Sequence, residues 1–244
     1  MTIPILISVR VDSSRLPAKC FLEMDKGLTV LDFVIERGIS FGFRPIVCTD
    51  NESLIHGLAN FFQKRNFEYF VGPKNNKIKR WYQAAKHFNF EAFHSVDADD
   101  PFFCRDQVIK SFNMAKKGSA IFPSNYSDSG GATEGYTLFT ADIAELNKKS
   151  DDLDTSYIKP FIGHLIRIDA DDPVYSIKQT RLTLDYLDDY VYLRGLASRF
   201  EFKTPRSIVE EFILKNNYLE NIGLNDIWKQ RQIEEGNLAA NGKI

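Results

Sequence analysis

Ten residues near the amino terminus concentrate groups that handle phosphate. Arg10, Asp12, Ser13, Ser14, Arg15 and Lys19 follow an apolar run from Ile3 to Val9, and Pro17 prevents a regular helix among them. Arginine offers phosphate a forked donor pair, lysine a point charge, and successive loop N–H groups an anion nest. A buried strand opening into such a loop suits a polyphosphate, because ligands of open α/β sheets gather at the carboxyl ends of strands. On spacing alone the stretch reads equally as a solvated cationic loop. It is not a Walker loop, since G-x-x-x-x-G-K-[ST] is absent, and no glycine precedes Gly27 to make a dinucleotide fingerprint.

A second group is acidic. The run Ala92 to Val96 delivers Asp97-Ala98-Asp99-Asp100-Pro101. Carboxylates crowded at a strand end raise one another's pKa unless a cation joins them, and a hard divalent ion such as Mg²⁺ is the natural partner. The alternative is a turn that starts a helix over 104–117, with Asp106 favourably placed in its first turn. A further acid, Asp185, ends the run Arg181 to Asp185, where Asp188 and Asp189 are equally good helix-capping residues. The acidic turn Asp169 to Pro173 reads as a hairpin. Lys74, Lys77, Lys79 and Arg80 form a cationic run that is either functional or merely solvated. His94 stands alone on a strand, and His56, His87 and His164 share no metal-ligand spacing. Cys20, Cys48 and Cys104 form no C-x-x-C pair, which fits reduced thiols.

These groups need a scaffold, and the apolar periodicity supplies one. Strands are predicted at 3–9, 46–48, 68–71, 92–96, 119–123, 134–139, 165–168, 174–177 and 181–185. Helices are predicted at about 28–39, 52–65, 78–88, 104–117, 141–148, 157–162, from Asp188 to about 200, and 207–215. Strands alternating with helices signal a parallel sheet with right-handed crossovers. With 244 residues, 43% of them apolar, the chain suits one α/β domain over 1–216. A small excursion at about 150–180 and a peripheral helix and tail at 217–244 complete the reading. A net charge of −2 argues against a global attraction to nucleic acid. The apolar runs fall short of the roughly 20 residues of a membrane helix, so no membrane partner and a cytoplasmic location are expected.

Four segments carry a family resemblance. Arg10-x-x-Ser13-Ser14-Arg15-Leu16-Pro17-x-Lys19 resembles the R-x-x-S-[ST]-R-L-P-G-K signature of the cytidylyltransferases that make CMP-activated sugars. That superfamily includes the acylneuraminate and 3-deoxy-manno-octulosonate cytidylyltransferases, and its spore-coat polysaccharide branch is the most similar. Arg80-Trp81-Tyr82-Gln83-Ala84-Ala85 resembles D-R-Y-Y-Q-A-A. Asp99-Asp100-Pro101 resembles the family's G-D-x-P turn, and Arg181 to Asp189 resembles R-x-T-[LV]-D-x-x-[ED]-D. The chain departs from the family at Asp12, at Ala18, at Lys79, and in Ser156 to Phe161, where Glu and His are missing.

The resemblance implies a Rossmann-like, GT-A-like nucleotidyltransferase fold. Its mostly parallel central sheet is flanked by helices, with a small β excursion for dimerisation or acceptor binding. It implies Mg²⁺-dependent transfer of CMP from CTP to a 2-keto sugar acid, with release of pyrophosphate, by a homodimer serving surface polysaccharide or glycoconjugate synthesis. Arg15 and Lys19 are then the catalytic cations on the β- and γ-phosphates. Arg10, Ser13, Ser14 and Arg80 bind the nucleotide, Asp99 and Asp185 hold Mg²⁺, and Asn125, Glu134 and Tyr136 face the acceptor. Two other readings of the same residues are a glycosyltransferase using Asp97-Ala98-Asp99 as a metal-binding D-x-D, and a non-catalytic nucleotide-binding homologue.

Overall fold

Ile5, Leu6 and Ile7 are fully buried, as a run apolar at every position requires. In the computed structural model they form β1 (Pro4–Ser8), the centre of the main sheet. The structure describes residues 2–53, 59–122, 135–149, 153–155, 158–162, 166–169, 182–216, 218 and 230. On one side of β1 lie β4 (Arg44–Asp50) and then β5 (Tyr69–Gly72). On the other lies β6 (Ala92–Asp97), and all of these are parallel. Beyond β6 the order continues with β8 (Thr137–Phe139), β7 (Ser119–Phe122) and β9 (Ile166–Asp169). β8 is antiparallel to both its neighbours, while β9 runs parallel to β7. The sheet is therefore mixed α/β and mostly parallel.

Alternation along β1 sends its side chains to two cores. Leu6 joins one built on α4 (Lys77–His87) and α6 (Thr140–Lys149), with Ile78, Trp81, Leu138 and Ile143. Ile5, Ile7 and Val9 join the opposite one, built on α1 (Val30–Ser40) and α5 (Arg105–Met114), with Leu31, Val34 and Val108. A third core gathers Met24, Phe33, Phe102 and Leu184 against α8 (Leu187–Ala197) and α9 (Arg206–Lys215). Short helices α2 (Asn51–Ser53), α3 (Ala59–Lys64) and α7 (Lys159–Ile162) complete the described α-helices.

Several predicted boundaries move for identifiable reasons. The helix expected from Leu28 starts at Val30, because β2 (Glu23–Asp25) and β3 (Leu28–Thr29) first form a hairpin. Its two-residue turn has positive φ at both Lys26 (50°) and Gly27 (78°), the combination a tight antiparallel hairpin requires. Thr29 and Asp32 then close a capping box that fixes the start of α1. Pro45 lies inside β4. The N–H groups of Arg44 and Val47 point to opposite neighbours, Ile3 and Glu68, so the N–H that Pro45 lacks faces the side where β5 has not begun. Residues 182–185 are not the strand expected there. Their donors go elsewhere, Leu184 N to Asp99 O at 2.8 Å and Asp185 N to Asp189 Oδ2 at 2.9 Å. The strand expected at 174–177 and nearly all of the 217–244 tail lie outside the described residues.

Candidate active site

The chain runs β1, β4, β5 to one side of the sheet and then β6 on the other, so the strand order reverses between β1 and β6. A crevice at the carboxyl ends of these two strands is where such sheets bind ligands. Ala98 N donates to Ser8 O at 3.0 Å, which carries the pairing one step past the strands and holds the two exit loops side by side.

The loop after β1 is shaped by its own backbone. Val11 O accepts from Ser13 N and Ala18 N, both at 3.0 Å, and so closes the neck. Val11 N donates to Ser53 Oγ, which itself is held by Asp50 at the end of β4. Ala18 is left-handed (φ 53°, ψ 26°), and this turn delivers Lys19 inward at the head of a short 3-10 helix. Glycine adopts that conformation more cheaply, which accounts physically for the residue the resembling motif carries here. Ser14 is exposed, and Ser13 Oγ makes a 3.5 Å contact to Leu16 N.

Lys19 is buried and carries the centre of the site. Its ammonium donates to Asp99 Oδ2 at 2.5 Å, to Leu184 O at 2.5 Å and to Asp185 Oδ1 at 2.9 Å. Arg15 Nη2 donates to the same Asp185 oxygen at 2.6 Å, and its guanidinium lies 5.9 Å from the Tyr186 ring centroid. Burial disfavours the Lys19 ammonium, but Asp99 and Asp185 outweigh it and raise its pKa above the ordinary lysine value. Asp189 Oδ2 accepts from Asp185 N and Tyr186 N, both at 2.9 Å, and so fixes the backbone that presents Asp185. Thus Asp189 is the capping acid and Asp185 faces the site.

At the end of β6, Asp97, Asp99 and Asp100 place their ligand oxygens within 4.8 Å of one another. Lys77 Nζ donates to Asp97 Oδ1 at 2.7 Å and stands 4.9 Å from the Trp81 ring centroid. Trp81 Nε1 in turn donates to Ser8 Oγ at 3.0 Å. Hard carboxylate oxygens gathered around cationic groups are the donor set that Mg²⁺ takes. Asp97, Asp99 and Asp100 are the carboxylates brought close enough to share such an ion, and Asp185 meets Asp99 through the Lys19 ammonium.

The remaining predicted residues are placed as follows. Arg10 is half-exposed, with Nε 3.9 Å from Asp12 Oδ1. Lys74 joins Asp12 at 2.9 Å and Glu52 at 2.5 Å, tying together the exits of β1, β4 and β5. Burial alone would raise the Asp12 carboxyl, but Lys74 and Arg10 bring it below the ordinary value. Arg80 is buried. Its Nη1 donates to Pro73 O at 2.6 Å and Lys74 O at 3.0 Å, so it shapes the β5–α4 loop from within. Tyr136 packs its ring in the core beside Trp81 and Leu138. Asn125 and Glu134 lie outside the described residues.

Sequence reasoning left Lys77 inside a cationic run and gave Asp97 no partner. One signal was present: Asn76, a good cap residue, directly precedes Lys77. Its side chain accepts from Lys79 N, which makes Lys77 the first helical residue, at the mouth of the crevice.

No protein-family model matches this chain, and no curated protein does. Solved structures do match it in fold. A cytidylyltransferase from Leptospira borgpetersenii superposes with a TM-score of 0.76 at 21% identity, over 91% of this chain and 98% of that one. A CMP:2-keto-3-deoxy-manno-octonic acid synthetase complexed with CTP gives 0.56 at 12% identity, over 82% and 99%. The 4-diphosphocytidyl-2C-methyl-D-erythritol synthase of Anaerococcus prevotii gives 0.58 at 12% identity, over 81% and 99%. The chain has the nucleotidyltransferase α/β fold that these enzymes share.

Proposed function

We propose that this chain is a CTP-dependent nucleotidyltransferase that passes CMP to a hydroxyl of a sugar acid, with a 2-keto sugar acid as the first candidate, and releases pyrophosphate. The observation that carries the reading is the meeting of Arg15 and Lys19, from the loop after β1, with Asp99 and Asp185 in one crevice. Fold neighbours that include a CTP-bound sugar-acid synthetase support the choice of nucleotide and acceptor.

The protein's part in such a reaction is positioning and charge neutralisation. The acceptor hydroxyl attacks the α-phosphorus in line, and the bond to the bridging oxygen of pyrophosphate breaks. Arg15 and Lys19 meet the charge that develops on the leaving pyrophosphate. Ser13, Ser14 and the loop N–H groups donate to phosphate oxygens, and Arg10 orients the nucleotide. Asp99 and Asp185, with Asp97 beside them, would hold Mg²⁺, which when bound neutralises charge on the α-phosphate. Arg80 acts on the nucleotide side by fixing the loop that carries Lys74 and leads into Lys77. A homodimer working in the cytoplasm on surface glycoconjugate precursors completes the proposal.

The test is pyrophosphate release with Mg²⁺ and each of the four nucleoside triphosphates, against a panel of 2-keto sugar acids. Release specific to CTP, dependent on an acceptor, and reduced at least about 100-fold in Arg15→Ala and Asp99→Ala is expected. Failure of CTP to bind in the presence of Mg²⁺, measured by calorimetry, contradicts the proposal.

A further inference from the structure

Lys19 is a fully committed ammonium. A lysine has three N–H donors, and here Asp99 Oδ2, Leu184 O and Asp185 Oδ1 accept them at 2.5, 2.5 and 2.9 Å. No donor is left for a phosphate oxygen. The residue is only 7% exposed, and Asp185 only 3%. Yet Lys19 ends the loop proposed to receive a polyphosphate. It must therefore release at least one of these acceptors before it can serve there.

We infer that Lys19 is an internal counterion, whose ammonium holds the place between Asp99 and Asp185 that a divalent cation takes, and which passes to the polyphosphate when that cation arrives. The inference rests on the nucleotidyl-transfer reading of the site. Its logic is electrostatic. A cation arriving alone must displace Lys19 and leave that ammonium buried without an acid. A polyphosphate arriving alone must draw Lys19 away and leave the half-buried Asp99 and the buried Asp185, which keeps Arg15, facing its own negative charge. A buried charge that loses its partner is strongly unfavourable. When both arrive, partners are exchanged and every charge keeps a counterion. Cation and nucleotide therefore bind with a positive coupling beyond their association in solution, and each raises the affinity for the other equally. Arg15, on the same Asp185 oxygen, steadies that carboxylate during the exchange.

The inference makes an unusual demand on Lys19→Met. Removing the counterion empties the cation position, so Mn²⁺ without nucleotide is expected to bind at least about tenfold tighter than to wild type, because no competing ammonium must first leave. CTP with Mg²⁺ is expected to bind at least tenfold weaker. Mn²⁺ affinity is read by electron paramagnetic resonance, with circular dichroism to establish that the variant is folded. Unchanged or weaker Mn²⁺ binding in folded Lys19→Met overturns the inference.

If the variant folds only with metal, wild type supplies the measurement. The buried Lys19 ammonium should give a slowly exchanging ¹⁵N resonance that shifts or vanishes in step with Mg²⁺ occupancy. A resonance unmoved when Mg²⁺ and CTP are both bound overturns the inference. Pyrophosphate release by wild type is followed in parallel. Release intact with no Mn²⁺ effect fails the counterion role alone, whereas no release from any triphosphate fails the transfer reading.

Discussion

Asp185 receives two cations through a single oxygen, and this concentrates the account on a few atoms. Asp185→Asn keeps the shape and the helix start while removing the charge that holds Arg15 and Lys19. A fall in kcat of at least about 100-fold with unchanged secondary structure is expected, on the scale of losing one preorganised electrostatic contact. Steady-state kinetics beside circular dichroism checks it. Ala18 makes a smaller and opposite prediction. A residue with a Cβ held at φ 53° bears a strain of roughly 1 kcal/mol, which glycine removes at the cost of a more flexible unfolded chain. Ala18→Gly is expected to stabilise the protein by about 0.5 kcal/mol, read from the midpoint of urea unfolding. The residues of the loop after β1 were legible as a group in sequence because they lie within ten positions of one another. The Lys77–Asp97 pair was not, since its members are twenty positions apart and each alone looks like a solvated surface charge.

At the scale of elements, the start of α4 is the point to probe. Asn76 accepts from Lys79 N at 2.8 Å, and Thr155 Oγ1 accepts from Ile78 N at 3.0 Å while donating to Asn76 Oδ1. This cap sets the direction of Lys77 toward Asp97. Asn76→Ala is expected to cost about 1 kcal/mol of stability, the usual loss for a removed N-cap. It is also expected to raise KM for the nucleotide more than it lowers kcat, because it loosens a residue of the binding crevice; initial rates over a range of CTP concentration separate the two. The strands of the parallel half were readable from their apolar runs. The β2–β3 hairpin was not, because two strands of three and two residues leave no periodicity to detect. The run before Asp185 carried a strand's composition, but its backbone donors are taken by Asp99 and Asp189 instead of a ladder.

The whole molecule has a pH dependence built into its core. His94 on β6 is fully buried, its Nδ1 2.8 Å from Thr137 Oγ1 on β8 and 3.3 Å from Ser111 Oγ on α5. Burial lowers its pKa from 6.5 to about 3. The native state then binds fewer protons than the unfolded chain throughout that window. The neutral ring's contribution is complete above pH 6.5 and is lost as pH falls toward 3, at up to about 1.4 kcal/mol per pH unit. Urea unfolding at pH 7.0 and 5.5 is expected to show this loss in wild type, and a smaller one in His94→Gln.

Transfer of the α-phosphoryl end of the nucleotide is read from the fate of labelled phosphorus. CTP labelled at the α position and CTP labelled at the γ position are each incubated with Mg²⁺ and the acceptor found in the panel. The α-label is expected in the acceptor while the γ-label leaves as pyrophosphate, in equal amounts. Label from the γ position on the acceptor, or intact CTP after prolonged incubation with every acceptor, would contradict it.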